Sequence, residues 1–443
     1  MVEISNILTL RYDPSSYSSN TNSLAEEKPA AGISNRIKHV TPAEISLLRQ
    51  TISNDRNQLP TPEDLDNEIR RLMRLKIEKS KANSVAIALS SGVDSILIFS
   101  LIRKEFPHIN LECLNVTFDE DSTEAHVASQ IAESKGAGFQ EIHVDNPLKD
   151  LPKLLSIVKE PRWNVYQFYF IEKAKSISSL LFTGDGGDEL FAGYTFRYNK
   201  FLTNIRQLSH SYSWTDKVRI YLSCHERDWV PDQEEMFSGT LVKFDWAAIY
   251  ELLRNYFDNK LDPLEQVLLA DYNGKLMYDF VPTNERFFEH LEITGVAPLL
   301  SSKIIDMSMK IPASLKYDFG SNTGKVPLRE VIKRNNVDDS MGLNFTDGDK
   351  RKIGFGMNLT KFWFRSAKEI VTSNLDRGRI FEDKIINKAW YTKSLDKIAS
   401  ENYKNKEEQE QGPRYISKML QLLSLEIWYK LFVTHEISAN YSI

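Results

Sequence analysis

A five-residue apolar run, residues 85–89, stops abruptly at Ser90-Ser91-Gly92-Val93-Asp94-Ser95, and a second apolar run, 96–102, follows at once. This feature restricts the fold more than any other in the chain. Asp94 is the one charge between residues 84 and 102, so membrane insertion is the first reading to test. The polar turn splits the segment into two runs, each too short to cross ~30 Å of hydrocarbon. A strand, a tight turn and a helix fit instead. A strand apolar on both faces belongs in a parallel sheet covered by helices. The turn then directs backbone N–H groups and a helix start toward one point, which suits an anion.

The pattern repeats downstream. Residues 111–118, 139–144 and 180–183 read as strands, and 123–135, 148–158 and 166–176 as helices. This order predicts an α/β fold, a parallel sheet with helices on both faces. Ligands of such sheets lie at the carboxyl ends of the strands. Upstream, Thr41-Pro42-Ala43-Glu44 and Thr61-Pro62-Glu63-Asp64 have the form of helix starts. Leu65, Ile69, Leu72, Met73 and Ile77 continue the second at helical spacing. Residues 12–36 are polar and Ser/Asn-rich and read as a flexible arm. Beyond residue 198 helical stretches take over, at 246–257, 264–280, 304–309, 328–333 and 415–432. Residues 340–356 read as a mobile loop and 401–411 as a solvated surface segment. Three regions are expected: an N-terminal extension (1–60), an α/β domain (61–200) and a mostly helical region completing the site (201–443).

Composition narrows the function classes. Net charge is −5 and the isoelectric point about 6.0. With no basic stripe, nucleic acid is a poor partner. Cys113 and Cys224 stand far apart outside any CxxC spacing, which excludes a disulfide framework and fits a reducing compartment. The histidines show no metal-ligand spacing, and His143 reads as structural. The start of the chain lacks a basic segment followed by an apolar one, so a soluble cytoplasmic protein is expected. Trp163, Tyr166, Phe168, Tyr169 and Phe170 read as core packing.

Two constellations carry chemistry. In the first, Ser90, Ser91 and Ser95 add hydroxyl donors and Gly92 allows close backbone approach. A bare phosphate would repel Asp94, so a cation must stand between them. Mg²⁺ held by carboxylate and phosphate oxygens is the natural choice. The second is Thr183-Gly184-Asp185-Gly186-Gly187-Asp188-Glu189-Leu190-Phe191-Ala192-Gly193-Tyr194. Its three carboxylates are costly to pack without a cation or a basic partner.

The first constellation resembles the SGGxDS loop of N-type ATP pyrophosphatases, with Ser91 in place of the middle glycine. Serine restricts φ more than glycine does, yet the loop is expected to form. The second resembles the G(E/D)GxDExFGGY signature of the asparagine synthetase family, shared with β-lactam synthetases and lasso-peptide cyclases. Lys325-Val326-Pro327-Leu328-Arg329 resembles that family's K-x-x-LR segment and residues 350–356 its K-x-GF loop. Residues 422–432 resemble its LxLExWxxxF helix, and 122–128 one of its helix starts.

The resemblance implies an adenine nucleotide α hydrolase-like PP-loop fold that binds ATP. Leu89, Ser90, Ser91, Gly92, Val93, Asp94, Ser95, Val116, Thr183 and Gly184 would line the nucleotide, and Asp94 and Asp188 would hold Mg²⁺. Lys325 would face the acyl adenylate. Asp185 would take the amine's proton or orient the nucleophile, and Glu189 would be either catalytic or structural. The implied reaction adenylates a carboxylate, aspartate first among candidates, and transfers the acyl group to ammonia.

Two departures stand out. Val2 replaces the N-terminal cysteine of glutamine-hydrolysing members, so ammonia would come free or from a separate glutaminase. The family's E-x-R-x-P element has no arginine here, between Glu292 and Pro298. Other readings stay open: a cyclase or amide ligase of specialised metabolism using a substrate amine, a tRNA-modifying PP-loop enzyme, or a non-catalytic subunit. Relatives of this kind are often homodimers.

Overall fold

The apolar run does become a central strand. In a computed structural model, which describes residues 3–14, 37–54, 59–118, 122–208, 212–225, 229–337, 357–399 and 406–443, β1 spans Ser84–Ala88. With β2 (Asn110–Thr117), β3 (Gly138–His143), β4 (Leu180–Phe182) and β5 (Thr294–Val296) it forms a five-stranded sheet in the order β3-β2-β1-β4-β5. Every pairing is parallel. The chain builds outward from β1 to β3, then returns to the other side of β1 with β4. The order thus reverses between β1 and β4, and a crevice opens there at the carboxyl ends. The loops carrying the two constellations leave the sheet on either side of it.

Local rules account for the flanking helices. Thr61 and Asp64 cap Pro62–Ser80 reciprocally, and its apolar stripe, Leu65, Ile69, Leu72, Met73 and Ile77, is buried. Thr41 and Glu44 do the same for the helix at Pro42–Asn54. Val93–Glu105 follows β1, with Asp94 in its first turn and Arg103 and Lys104 in its last, charges that suit the helix dipole. Trp163, Tyr166 and Phe168 are core residues, as expected, and Phe168 packs on Phe287 at 5.4 Å. His143 pairs with Asp145 at 2.8 Å.

Three features were not foreseen. β5 is a three-residue strand inside the region read as helical. Its Val296 carbonyl accepts the Thr183 N–H at 2.9 Å, so it extends the sheet beside the second constellation. The helix expected at 264–280 is an α-helix (Pro263–Ala270) that widens into a π-helix (Asp271–Phe280) and returns to α at Val281–Leu291. Such widenings gather at functional sites. Finally, the N-terminus is not all arm. Ile4–Leu10 is a buried helix, and Tyr12 stacks on Tyr278 at 5.9 Å. The rest of the expected arm, the loop at 340–356 with the K-x-GF segment, and Val2 lie outside the described residues. Among the described residues no helix is long and apolar enough to cross a membrane.

Candidate active site

The loop after β1 is tied by its own side chains. The Ser90 N–H donates to Ser95 Oγ at 3.1 Å, the Gly92 N–H to Ser90 Oγ at 3.1 Å, and the two hydroxyls lie 2.9 Å apart. Ser91 is absent from the residues with positive φ, so the loop does not need a glycine there. That explains why the departure from SGGxDS is tolerated. Asn115 of β2, not singled out from sequence, donates to the Leu89 carbonyl at 2.7 Å and fixes the strand exit. Leu89, Val93, Val116 and Thr183 are buried around the crevice.

The second loop packs directly on the first. A side chain at Gly184 would stand 2.8 Å from Asp94 Cβ and 2.9 Å from the Ser95 N, so only glycine lets the loops approach this closely. Lys325 arrives from a third segment, at the start of the helix Val326–Arg334, with a left-handed φ of 57°. Its N–H donates to the Phe191 carbonyl at 2.8 Å. Its ammonium bonds Asp94 Oδ2 and Asp188 Oδ1, the latter at 2.6 Å. Gly193 leaves room for this, since a Cβ there would overlap both Asp188 and Lys325. Burial works against the Lys325 charge, but Asp188 and Asp94 overcome it and raise its pKa.

Two carboxylates from separate loops thus converge on one cation. Hard oxygens arranged this way also fit a divalent ion that completes its shell with phosphate and water. Among the described residues no group of three or more His, Cys, Asp or Glu side chains could hold a metal.

Two further acids differ in placement. Asp185 is partly buried and accepts from Asn284 Nδ2 at 3.2 Å. Burial, with Asp94 adding to it and Asn284 opposing it, raises its pKa to about 6. Glu189 accepts from the Tyr194 hydroxyl at 2.6 Å and faces a cavity of about 20 Å³ shared with Arg49, Glu265 and Lys316. Burial, then the Asp188 charge, raises it to about 7. Burial, then Arg49, lowers Lys316 to about 7. Lys316 donates to Ser308 Oγ at 3.0 Å, and Ser308 donates to the Leu190 carbonyl at 2.7 Å. Sequence reading missed Asn284, Lys316 and Ser308. Asn284 had no signal of its own, since it stands among the polar residues Thr283, Glu285 and Arg286.

Fold and site together define an α/β protein with a parallel five-stranded sheet, in which Asp94, Asp188 and Lys325 gather where the strand order reverses. The chain belongs to the asparagine synthase family, whose pattern matches residues 75–430. It is similar to Asparagine synthetase [glutamine-hydrolyzing] 1 of Bacillus subtilis (strain 168), at 24% identity over 310 residues. That match takes in 63% of this chain and 47% of the relative, so the chain spans about half the length of the curated relative it matches. Among solved structures it is similar to the U34-tRNA thiolase NcsA from Methanococcus maripaludis, at 15% identity and a TM-score of 0.23. That match covers 48% of this chain and 80% of the thiolase.

Proposed function

We propose that the chain is an ATP-dependent amide-forming ligase. A substrate carboxylate attacks the α-phosphorus of ATP and pyrophosphate leaves. Ammonia or an amine then attacks the acyl adenylate and AMP leaves. The observation that carries this reading is the Lys325 ammonium, held between Asp94 of the first loop and Asp188 of the second. It puts positive charge where the two strand-end loops meet.

ATP would lie across these loops, its adenine near the backbone of Leu89 and Val116 and beside Thr183 and Gly184. Ser90, Ser91, Gly92, Val93 and Ser95 would cradle its phosphates. Asp94 and Asp188 would hold Mg²⁺, which when bound neutralises phosphate charge. Lys325 would stabilise the oxyanion that develops on the acyl group, a role whose loss costs ~3–4 kcal/mol. Asp185 and Glu189, raised to about 6 and about 7, both suit acceptance of a proton near neutral pH.

Aspartate is the first carboxylate to test and ammonia the first nucleophile, with a separate glutaminase as one source of it. A second reading, a ligase or cyclase acting on a larger amine, is favoured by one observation. Counting back from Pro298, the fully buried Val296 stands where the family element has its arginine. The test is a mass-spectrometric product assay with ATP, Mg²⁺, aspartate and either ammonium or glutamine, beside Asp94→Asn. Asparagine formed with equal AMP and pyrophosphate from ammonium supports the first reading. Absence of asparagine from protein that still binds ATP overturns aspartate and moves the search to other carboxylates.

A further inference from the structure

Asn284 is 1% exposed. It lies on the helix Val281–Leu291, directly after the π-helix. Its Nδ2 donates to Asp185 Oδ2 at 3.2 Å. Its Oδ1 is buried, and among the described residues it has no hydrogen-bond partner. The amide cannot turn over to hide this oxygen. An ionised carboxylate only accepts, so Asn284 must present its NH₂ to Asp185. A buried acceptor left unmet is costly and calls for an explanation.

Amide geometry places Oδ1 about 2.3 Å from Nδ2, and therefore within about 5.5 Å of the Asp185 oxygen. Two N–H bonds of one nitrogen, at the tetrahedral angle and ordinary hydrogen-bond length, about 2.9 Å, reach oxygens about 4.7 Å apart, a separation inside that limit. We infer that Asn284 Oδ1 and the Asp185 carboxylate together seat the nitrogen nucleophile, which must bring at least two N–H bonds: ammonia or a primary amine. The inference rests on the ligase reading and adds the nucleophile's site to it. Both acceptors take N–H bonds, so the nitrogen lone pair stays free. That pair forms the C–N bond, the C–O bond to AMP breaks with its electrons going to AMP, and one N–H proton passes to Asp185. A secondary amine has a single N–H and cannot satisfy both oxygens.

The test uses the full chain and Asn284→Leu. The variant is expected to raise the ammonium KM by about tenfold or more, the effect of one lost hydrogen bond to a charged or reacting group, while carboxylate-driven ATP–pyrophosphate exchange continues. Wild type is expected to use hydroxylamine and methylamine but not dimethylamine. A second readout needs no turnover. Ammonium chloride should raise the melting temperature of wild type above that in sodium chloride at equal ionic strength, and the excess should vanish in Asn284→Leu. An unchanged ammonium KM and an unchanged melting increment would overturn the seat and leave Oδ1 with a structural water. If wild type shows no exchange with any carboxylate, the ligase reading fails, and the melting increment still decides the seat. Should Asn284→Leu not fold, Asn284→Ser carries the same measurements.

Discussion

At the scale of single residues, the site turns on one cation shared by two acids. Replacing Lys325 with methionine leaves Asp94 and Asp188 facing each other. Product formation should fall about 10²–10³-fold, the cost of removing one preorganised stabiliser. The emptied position should also bind Mg²⁺ more readily. Mg²⁺ without nucleotide is therefore expected to raise the melting temperature of Lys325→Met more than that of wild type, and an equal rise would refute a shared cation position. Asp185 makes a separate prediction. Burial raises its pKa to about 6, so Asp185 binds its proton more tightly in the folded protein than in the unfolded chain. The stability this gives is complete below the ordinary aspartate range, near 4, and is lost as pH climbs through about 6. Asp185→Asn should flatten the decline in melting temperature across that window. The reaction runs the other way, because proton acceptance needs the carboxylate. Amide formation by wild type should drop as pH falls through about 6.

At the scale of elements, the C-terminal motif proves to be a structural clasp. Glu426 is buried and accepts from the Arg379 and Ile380 N–H groups at 2.9 and 3.0 Å, which caps the short helix Arg379–Glu382. Lys430 pairs with it at 2.7 Å, and Trp428 donates to the Lys159 carbonyl at 3.0 Å. Glu426→Ala strands these donors and should cost about 1–3 kcal/mol in urea denaturation, with turnover per folded molecule unchanged. A fall in turnover without loss of stability would show that the glutamate acts in the site. Elements with their own local signals were legible in advance. Thr61 and Asp64 announced a helix start, and the five apolar residues before Ser90 announced β1. β5 was not, because Thr-Gly-Val has no period of its own and becomes a strand only by pairing with β4. The π-helix was hidden for a similar reason, since its apolar spacing passes for α. The acids and Lys325 were readable from their motifs, but Asn284 was not, because its meaning comes from Asp185, ninety-nine positions earlier.

At the scale of the whole molecule, the N-terminal segment works as a strap across distant parts of the chain. Ile7, Leu8, Leu10 and Tyr12 are buried. The Leu8 carbonyl accepts from Gln233 Nε2 and from the fully buried ammonium of Lys418. The Arg11 carbonyl accepts from Arg162 at 3.0 Å, and Arg11 itself pairs with Asp279 of the π-helix at 3.1 Å. The sequence placed these residues only in an N-terminal extension, because seven helical residues are too few to display a period and their partners lie hundreds of positions away. The strap reaches the C-terminal helix, the connection near Arg162 between the helices Leu151–Val158 and Gln167–Lys175, and the π-helix that leads into Asn284. Loosening it should therefore weaken both the fold and the site. Leu8→Ala opens a cavity and should cost about 2–5 kcal/mol. Deleting residues 1–14 does more, since it takes the Leu8 carbonyl from Lys418, which keeps Gln421 Oε1 at 2.7 Å, and a buried charge that loses an acceptor is costly. The truncated chain is expected to melt well below wild type. Adding Lys418→Met to the truncation should recover part of the loss, because it removes the under-satisfied charge and keeps the volume. If the truncated chain melts like wild type, the segment is only an appendage and the link between strap and site fails.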